Sequence, residues 1–176
     1  MSNYRRLYQP GATWFFTVNL AQRHDNTLLV DNIDLLRAAF RYVQNRYPFA
    51  LDAVAVMPDH LHCLWTLPES DTDYATRWRL LKSYFSRHIA PQEYRSPSRI
   101  KRRERGIWQR RFWAHWITDQ NDFNRHVDYI HWNPVKHGLV SCVADWPYSS
   151  FHRFVERGIY PADWGHNGDF MVDGGE

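Results

Sequence analysis

Leu51-Asp52-Ala53-Val54-Ala55-Val56-Met57-Pro58-Asp59-His60-Leu61-His62-Cys63-Leu64-Trp65-Thr66-Leu67 is the stretch that decides the fold. Two runs rich in apolar and β-branched residues flank a Pro-Asp turn. Their short link predicts an antiparallel hairpin, with strands over Leu51–Val56 and Leu61–Leu67. Alternation in the second strand sends His60 and His62 to one face and Leu61 and Cys63 to the other.

Working outward, Trp14-Phe15-Phe16-Thr17-Val18-Asn19-Leu20 follows Pro10-Gly11 and reads as a first strand. Asp31 or Asn32 can cap a helix in which Ile33, Leu36, Phe40 and Val43 recur at helical spacing, and Pro48 marks its end. A second helix is predicted from about Asp73 to His88, with Tyr74, Trp78, Leu81, Phe85 and Ile89 as its apolar stripe. Pro91 to Gly106 reads as a mobile loop. Arg111 to Ile117 gives a fourth strand, and Asp122 to Asn133 a third helix stopped by Pro134.

This order matches the split β-α-β pattern of ferredoxin-like folds. The expected class is α+β: a four-stranded antiparallel sheet, helices on one face, a second face free for ligand, and a C-terminal helix bearing functional groups. With no internal repeat and no long linker, residues 1–176 are expected to form one domain. About 165–176 is expected to be a flexible tail.

Composition narrows the function. Apolar residues make up 44% of the chain, which excludes a disordered protein. No apolar run approaches the ~18 residues of a membrane span, and no signal-peptide core follows the N-terminus. Cys63 and Cys142 suggest no disulfide framework, so a cytoplasmic protein is expected. Aromatic residues reach 16%, enough to fill a core and leave rings for stacking on bases.

The net charge of +3 hides an asymmetry. Between Arg77 and Arg111, twelve Lys and Arg face only Glu93 and Glu104, a local charge of +10 that leaves −7 for the remainder. Such a segment is a candidate polyanion surface. The nucleic-acid-binding candidates are Arg5, Arg6, Arg77, Lys82, Arg99, Lys101, Arg102, Arg103, Arg105, Arg110 and Arg111.

Two imidazoles on one strand face make half of a metal site. Ten His in 176 residues give roughly 0.6 chance His-x-His pairs, so the motif needs context. The third helix supplies it. Phe123, Val127 and Ile130 form an apolar face, and His126, Tyr129 and Asn133 form a polar stripe beside it. Tyr129 and Asn133 are four apart and therefore neighbours. An amide oxygen one turn from a phenol is placed to complete a metal site begun by His60 and His62. The pattern suggests attack of the Tyr129 oxygen on a phosphate, with His126, His131 and Asp128 as possible bases.

Met57-Pro58-Asp59-His60-Leu61-His62 and His126-Val127-Asp128-Tyr129-Ile130-His131-Trp132-Asn133-Pro134-Val135-Lys136-His137-Gly138-Leu139-Val140 together resemble the REP-associated tyrosine transposases. These are relatives of single-tyrosine insertion-sequence transposases. Tyr4-Arg5-Arg6, Thr13 to Leu20, Gly106 to Trp113 and Trp146 to Phe151 are similar to that family as well, so the likeness runs from Tyr4 to about Trp164.

The resemblance implies His60 and His62 as metal ligands, Tyr129 as nucleophile, and the polar residue four positions later, Asn133, as the third ligand. Insertion-sequence relatives often carry Gln there. Relatives also commonly read Phe-Trp-Glu-His where this chain has Phe112-Trp113-Ala114-His115, so position 114 is not assigned a ligand. The implied activity is metal-dependent cleavage and strand transfer on single-stranded DNA with REP-type palindromic hairpins, through a 5′-phosphotyrosine link. Mn²⁺ or Mg²⁺ is the implied ion, and a monomer the implied state. Two alternatives remain: a hairpin DNA- or RNA-binding module without catalysis, and a zinc hydrolase using His60, His62 and a third His such as His115.

Overall fold

The computed structural model describes residues 9–165. Arg5, Arg6 and the tail after Gly165 lie outside the described residues. Four strands, β1 (Thr13–Asn19), β2 (Ala50–Val56), β3 (His60–Thr66) and β4 (Trp113–Trp116), form one antiparallel sheet in the order β2-β3-β1-β4. That is the order expected when each crossover helix skips the strand that later fills the gap, so the ferredoxin-like expectation holds.

Helices α1 (Leu28–Asp31) and α2 (Ile33–Arg46) connect β1 to β2, and α3 (Tyr74–Arg87) and α4 (Pro97–Lys101) connect β3 to β4. After β4 come α5 (Gln120–Lys136), a 3₁₀ turn (Val143–Asp145) and α6 (Phe151–Glu156). The Asp73 carboxylate accepts from the Thr76 backbone N–H and caps α3, which lies within the predicted span from about Asp73 to His88. No described helix is long and apolar enough to cross a membrane.

One sheet face packs on α2 and α3. Trp14, Phe16, Val18, Leu61, Cys63 and Trp65 meet Leu36, Phe40, Val43, Trp78, Leu81 and Phe85, all buried. The other face is not free, contrary to expectation. Phe15, Ala53, Ala55 and Leu64 pack against Val127, Tyr129 and Ile130 of α5 and Phe154 of α6. The reason is the apolar stripe of α5, which must bury itself somewhere, and the alanines of β2 let the helix lie close.

Three further differences matter. Pro134 lies inside α5 and does not end it. It forfeits only one intrahelical donor near the end of the helix, and the helix then closes on Gly138. Gly138 has φ +67°, its N–H donates to Val135 and the Leu139 N–H donates to Pro134. This is a glycine-capped terminus that satisfies the last carbonyls. The segment from Pro91 to Gly106 holds the helix α4, and Arg105 fastens it: the guanidinium pairs with Glu93 and donates to the Ser86, Ile89 and Ala90 carbonyls. The fourth strand is four residues long, shorter than the predicted Arg111–Ile117.

Candidate active site

Register brings the site together. On the α5 side of the sheet, Asn19 pairs with His60, Thr17 with His62, Phe15 with Leu64, and Phe15 with His115 on its other flank. His60 and His62 therefore share a face, as alternation requires, and their ring centroids are 5.1 Å apart. Both are buried, at 3% and 1% exposure.

Each imidazole is held by one nitrogen. Thr17 Oγ1 lies 2.8 Å from His62 Nδ1. Asp59 Oδ1 lies 2.6 Å from His60 Nδ1, with Arg23 Nη2 3.3 Å from the same nitrogen. Asp59 also accepts from Arg23 Nε at 2.6 Å. Such partners fix the ring orientation and aim the opposite nitrogen. Burial, and then the nearness of His60, His137, Lys136 and Arg23, hold the His62 pKa well below its usual value. Burial lowers that of His60 too, against the Asp59 contacts. Both rings are neutral near pH 7, the form that ligates metals.

Opposite them runs α5. The His62 ring is 5.3 Å from the Tyr129 ring, and the His60 ring is 5.0 Å from the His137 ring. Tyr129, Asn133 and His137 are spaced by four and form one stripe. Asn133 therefore falls between the two imidazole contacts. It is fully buried, and neither its Oδ1 nor its Nδ2 meets a hydrogen-bond partner among the described residues; the same is true of His62 Nε2. Buried polar atoms of that kind demand an explanation, and a cation bound by the imidazoles and the amide oxygen supplies one. The residues present fit a divalent ion.

The phenol has its own neighbours. Lys136 Nζ is 3.5 Å from Tyr129 Oη and 4.9 Å from the ring centroid, while Phe15 flanks the ring edge-on at 5.9 Å. Lys136 and His137 were missed in the sequence because Pro134 was read as a stop. The continued helix puts them three and four residues beyond Asn133, about one further turn along the same side. Of the three possible bases, His131 Nε2 is 2.8 Å from Ser150 Oγ and fully buried, and Asp128 accepts the Tyr160 hydroxyl. His126 is turned to Asp122, its Nδ1 2.9 Å from the Asp122 carbonyl.

His115 does not join His60 and His62. It faces Asp122 and His126, with its Nε2 3.0 Å from the Asp122 carboxylate. The zinc-hydrolase alternative thus loses the third histidine it named.

The cationic candidates separate by burial. Arg77 is 1% exposed and donates to the Tyr47, Pro48 and Asp73 carbonyls and to Asp71, so it is a structural residue and not part of an open DNA face. Arg105 is committed to Glu93 as described. Lys82 donates to the Gln109 carbonyl and Arg99 to that of Trp108. Lys101, Arg102, Arg103, Arg110 and Arg111 are exposed, Arg110 being paired with Glu104. Arg103 and Arg110, with the exposed Arg79 and Arg87, line a groove of about 770 Å³ between α3 and the segment that follows α4.

Comparison with known proteins agrees with this geometry. The family model described as "Transposase IS200 like" matches residues 17–133. A protein of Haemophilus influenzae assigned to the REP-associated tyrosine transposases is 49% identical over 176 residues, covering 99% of both chains. The REP-associated tyrosine transposase of Escherichia coli K12 is 48% identical over 164 residues, covering 93% of this chain and 91% of its own. A solved structure of a REP-associated tyrosine transposase bound to a REP hairpin superposes with a TM-score of 0.82 at 45% identity, covering 100% of this chain and 99% of that one. Helix stripe, paired strand histidines and relatives along nearly the whole length converge: this chain belongs to the REP-associated tyrosine transposases, within the IS200-like transposase family.

Proposed function

We propose that the protein cleaves and rejoins single-stranded DNA at REP-type palindromic hairpins, with Tyr129 as the nucleophile and His60, His62 and Asn133 as ligands of a divalent cation. The observation that carries the reading is the set of unspent buried atoms, His62 Nε2 and both polar atoms of Asn133, on the stripe shared with Tyr129.

The Tyr129 oxygen attacks the scissile phosphorus in line. An Oη–P bond forms and the P–O3′ bond breaks; the phenol gives up one proton and the leaving O3′ takes one up, so the upstream fragment departs with a free 3′-hydroxyl while the downstream fragment stays joined to Tyr129 through its 5′-phosphate. Attack by a 3′-hydroxyl reverses the step, so the phosphodiester energy is kept and no nucleotide cofactor is needed. The Lys136 ammonium donates to the phenol oxygen and is placed to meet the charge that gathers around the reacting oxygen and phosphate in the transition state. Thr17 and Asp59 hold the two imidazoles in position. A bound cation supplies Lewis-acid polarisation of a non-bridging phosphate oxygen. Imidazole and amide donors suit Mn²⁺ more than Mg²⁺.

The exposed Arg79, Arg87, Lys101, Arg102, Arg103, Arg110 and Arg111 form the surface that neutralises the DNA backbone. A relative solved with a REP hairpin supports hairpin DNA as the partner, and acting on DNA supports a cytoplasmic location.

The deciding experiment incubates the protein with end-labelled single-stranded hairpin DNA and Mn²⁺. The expected product is a protein–DNA adduct that survives denaturation, is absent without the ion and is lost in Tyr129→Phe. Cleavage that persists in Tyr129→Phe means that water is the nucleophile. Binding with no adduct under any condition means a non-catalytic module.

A further inference from the structure

A second group of potential ligands lies outside the stripe just described. His115 stands on the edge strand β4, and Asp122 and His126 stand one turn apart at the start of α5. One nitrogen of each imidazole and a carboxylate oxygen of Asp122 lie within 4.8 Å of one another. The two rings stack at 4.7 Å with planes 18° apart. The Asp122 carboxylate is nearly buried, at 6% side-chain exposure, whereas His115 and His126 are 39% and 23% exposed. The cluster is therefore anchored at its carboxylate and open toward solvent at its imidazoles.

We propose that His115, Asp122 and His126 form a second divalent-cation site, suited to Zn²⁺, that ties the first turn of α5 to β4. Two imidazoles and one carboxylate with room for water are a donor set typical of zinc. Tetrahedral ligands at about 2.1 Å from the ion sit about 3.4 Å apart, so closure requires a modest rotation of the exposed His115. The outer contacts are in place: the Thr118 N–H donates to Asp122 at 3.1 Å, and the Asp122 carbonyl holds His126 Nδ1.

Position gives the site a purpose. The His126 ring lies 4.7 Å from that of Phe15, which in turn stacks on His62 at 5.6 Å and meets Tyr129 at 5.9 Å. Phe15 is thus a partition between the two clusters. An ion on the far side fixes the helix that carries Tyr129 without touching the phosphate.

The test is Zn²⁺ titration by calorimetry on full-length protein stripped with a chelator, with Co²⁺ absorption as a second readout. Wild type should take up two ions. His60→Ala/His62→Ala should retain one, and His115→Ala should lose that same ion, weakening it by more than the roughly 10–100-fold seen when an outer partner is removed. Because His115 is on the rim, its replacement leaves the core intact. Zn²⁺ should also raise the melting midpoint of His60→Ala/His62→Ala, but not after His115→Ala is added. The proposal is overturned if His115→Ala binds as many ions, as tightly, as wild type. It is equally overturned if wild type binds one ion that only the His60/His62 substitutions remove, an outcome that leaves the tyrosine chemistry standing. Loss of uptake in His115→Ala alone, with none in His60→Ala/His62→Ala, would support this site and count against the first.

Discussion

Lys136 donates to the Tyr129 hydroxyl across nearly two turns of the same helix, at 3.5 Å, with its ammonium over the ring. A positive charge so placed faces the oxygen proposed to attack the phosphate. Lys136→Met should lower the rate of adduct formation by about 10²-fold, the range for removing one stabilising donor, and should change hairpin affinity far less. Single-turnover adduct kinetics beside a binding isotherm separates the two; equal losses in both would reduce Lys136 to a DNA-backbone contact.

Thr17 is the strand neighbour that orients His62. Thr17→Val keeps a β-branched side chain and removes the hydroxyl. Mn²⁺ affinity at the His60/His62 site should fall by about 10–100-fold, with the melting temperature little changed. A titration showing unaltered Mn²⁺ affinity would remove Thr17 from any supporting role.

Arg77→Met should cost about 1–3 kcal/mol of stability, because it removes the hydrogen bonds of a buried guanidinium to the Tyr47, Pro48 and Asp73 carbonyls and its ion pair with Asp71. Chemical denaturation should show a lower midpoint at an unchanged slope. By contrast Arg79→Ala and Arg103→Ala, at exposed positions beside the groove, should leave stability alone. Each should reduce the salt slope of DNA binding by about one.

Acid should weaken the fold through His131. Burial, followed by the charges of Arg153 and His152, lowers its pKa to about 3. Below its usual value near 6.5 the unfolded chain takes up a proton that the folded chain refuses. Stability is therefore full above about pH 6.5 and is lost as pH falls toward 3, at up to about 1.4 kcal/mol per pH unit. His131→Asn should flatten that part of the pH profile even if it lowers stability overall; an unchanged slope would place the acid sensitivity elsewhere.

Much of this was legible in the sequence. Period-two alternation put His60 and His62 on one face, and period-3.6 spacing put Tyr129 beside Asn133; both follow from backbone geometry. The span of α3 was readable because Tyr74, Trp78, Leu81 and Phe85 recur at helical spacing and bury one face. What was not legible depended on context. The rule that proline ends a helix cut α5 short and hid Lys136 and His137, and only the Gly138 closure makes the extension intelligible. Arg77 looks like any other member of a basic segment until the fold supplies carbonyls around it. The association of His115 with Asp122 and His126 comes from β4 meeting the start of α5, a long-range contact that no local pattern encodes.

Every residue of β3 from His60 to Trp65 is buried, with helices screening both faces. Amide hydrogens there can reach heavy water only when the whole domain opens, so they should be among the slowest to exchange, and equally slow with or without ion. The imidazole pair is thereby held in place by the fold itself. On the proposed reading of these residues as metal ligands, little ordering entropy would remain to be lost on loading, and an ion could come and go without disturbing the frame that receives it.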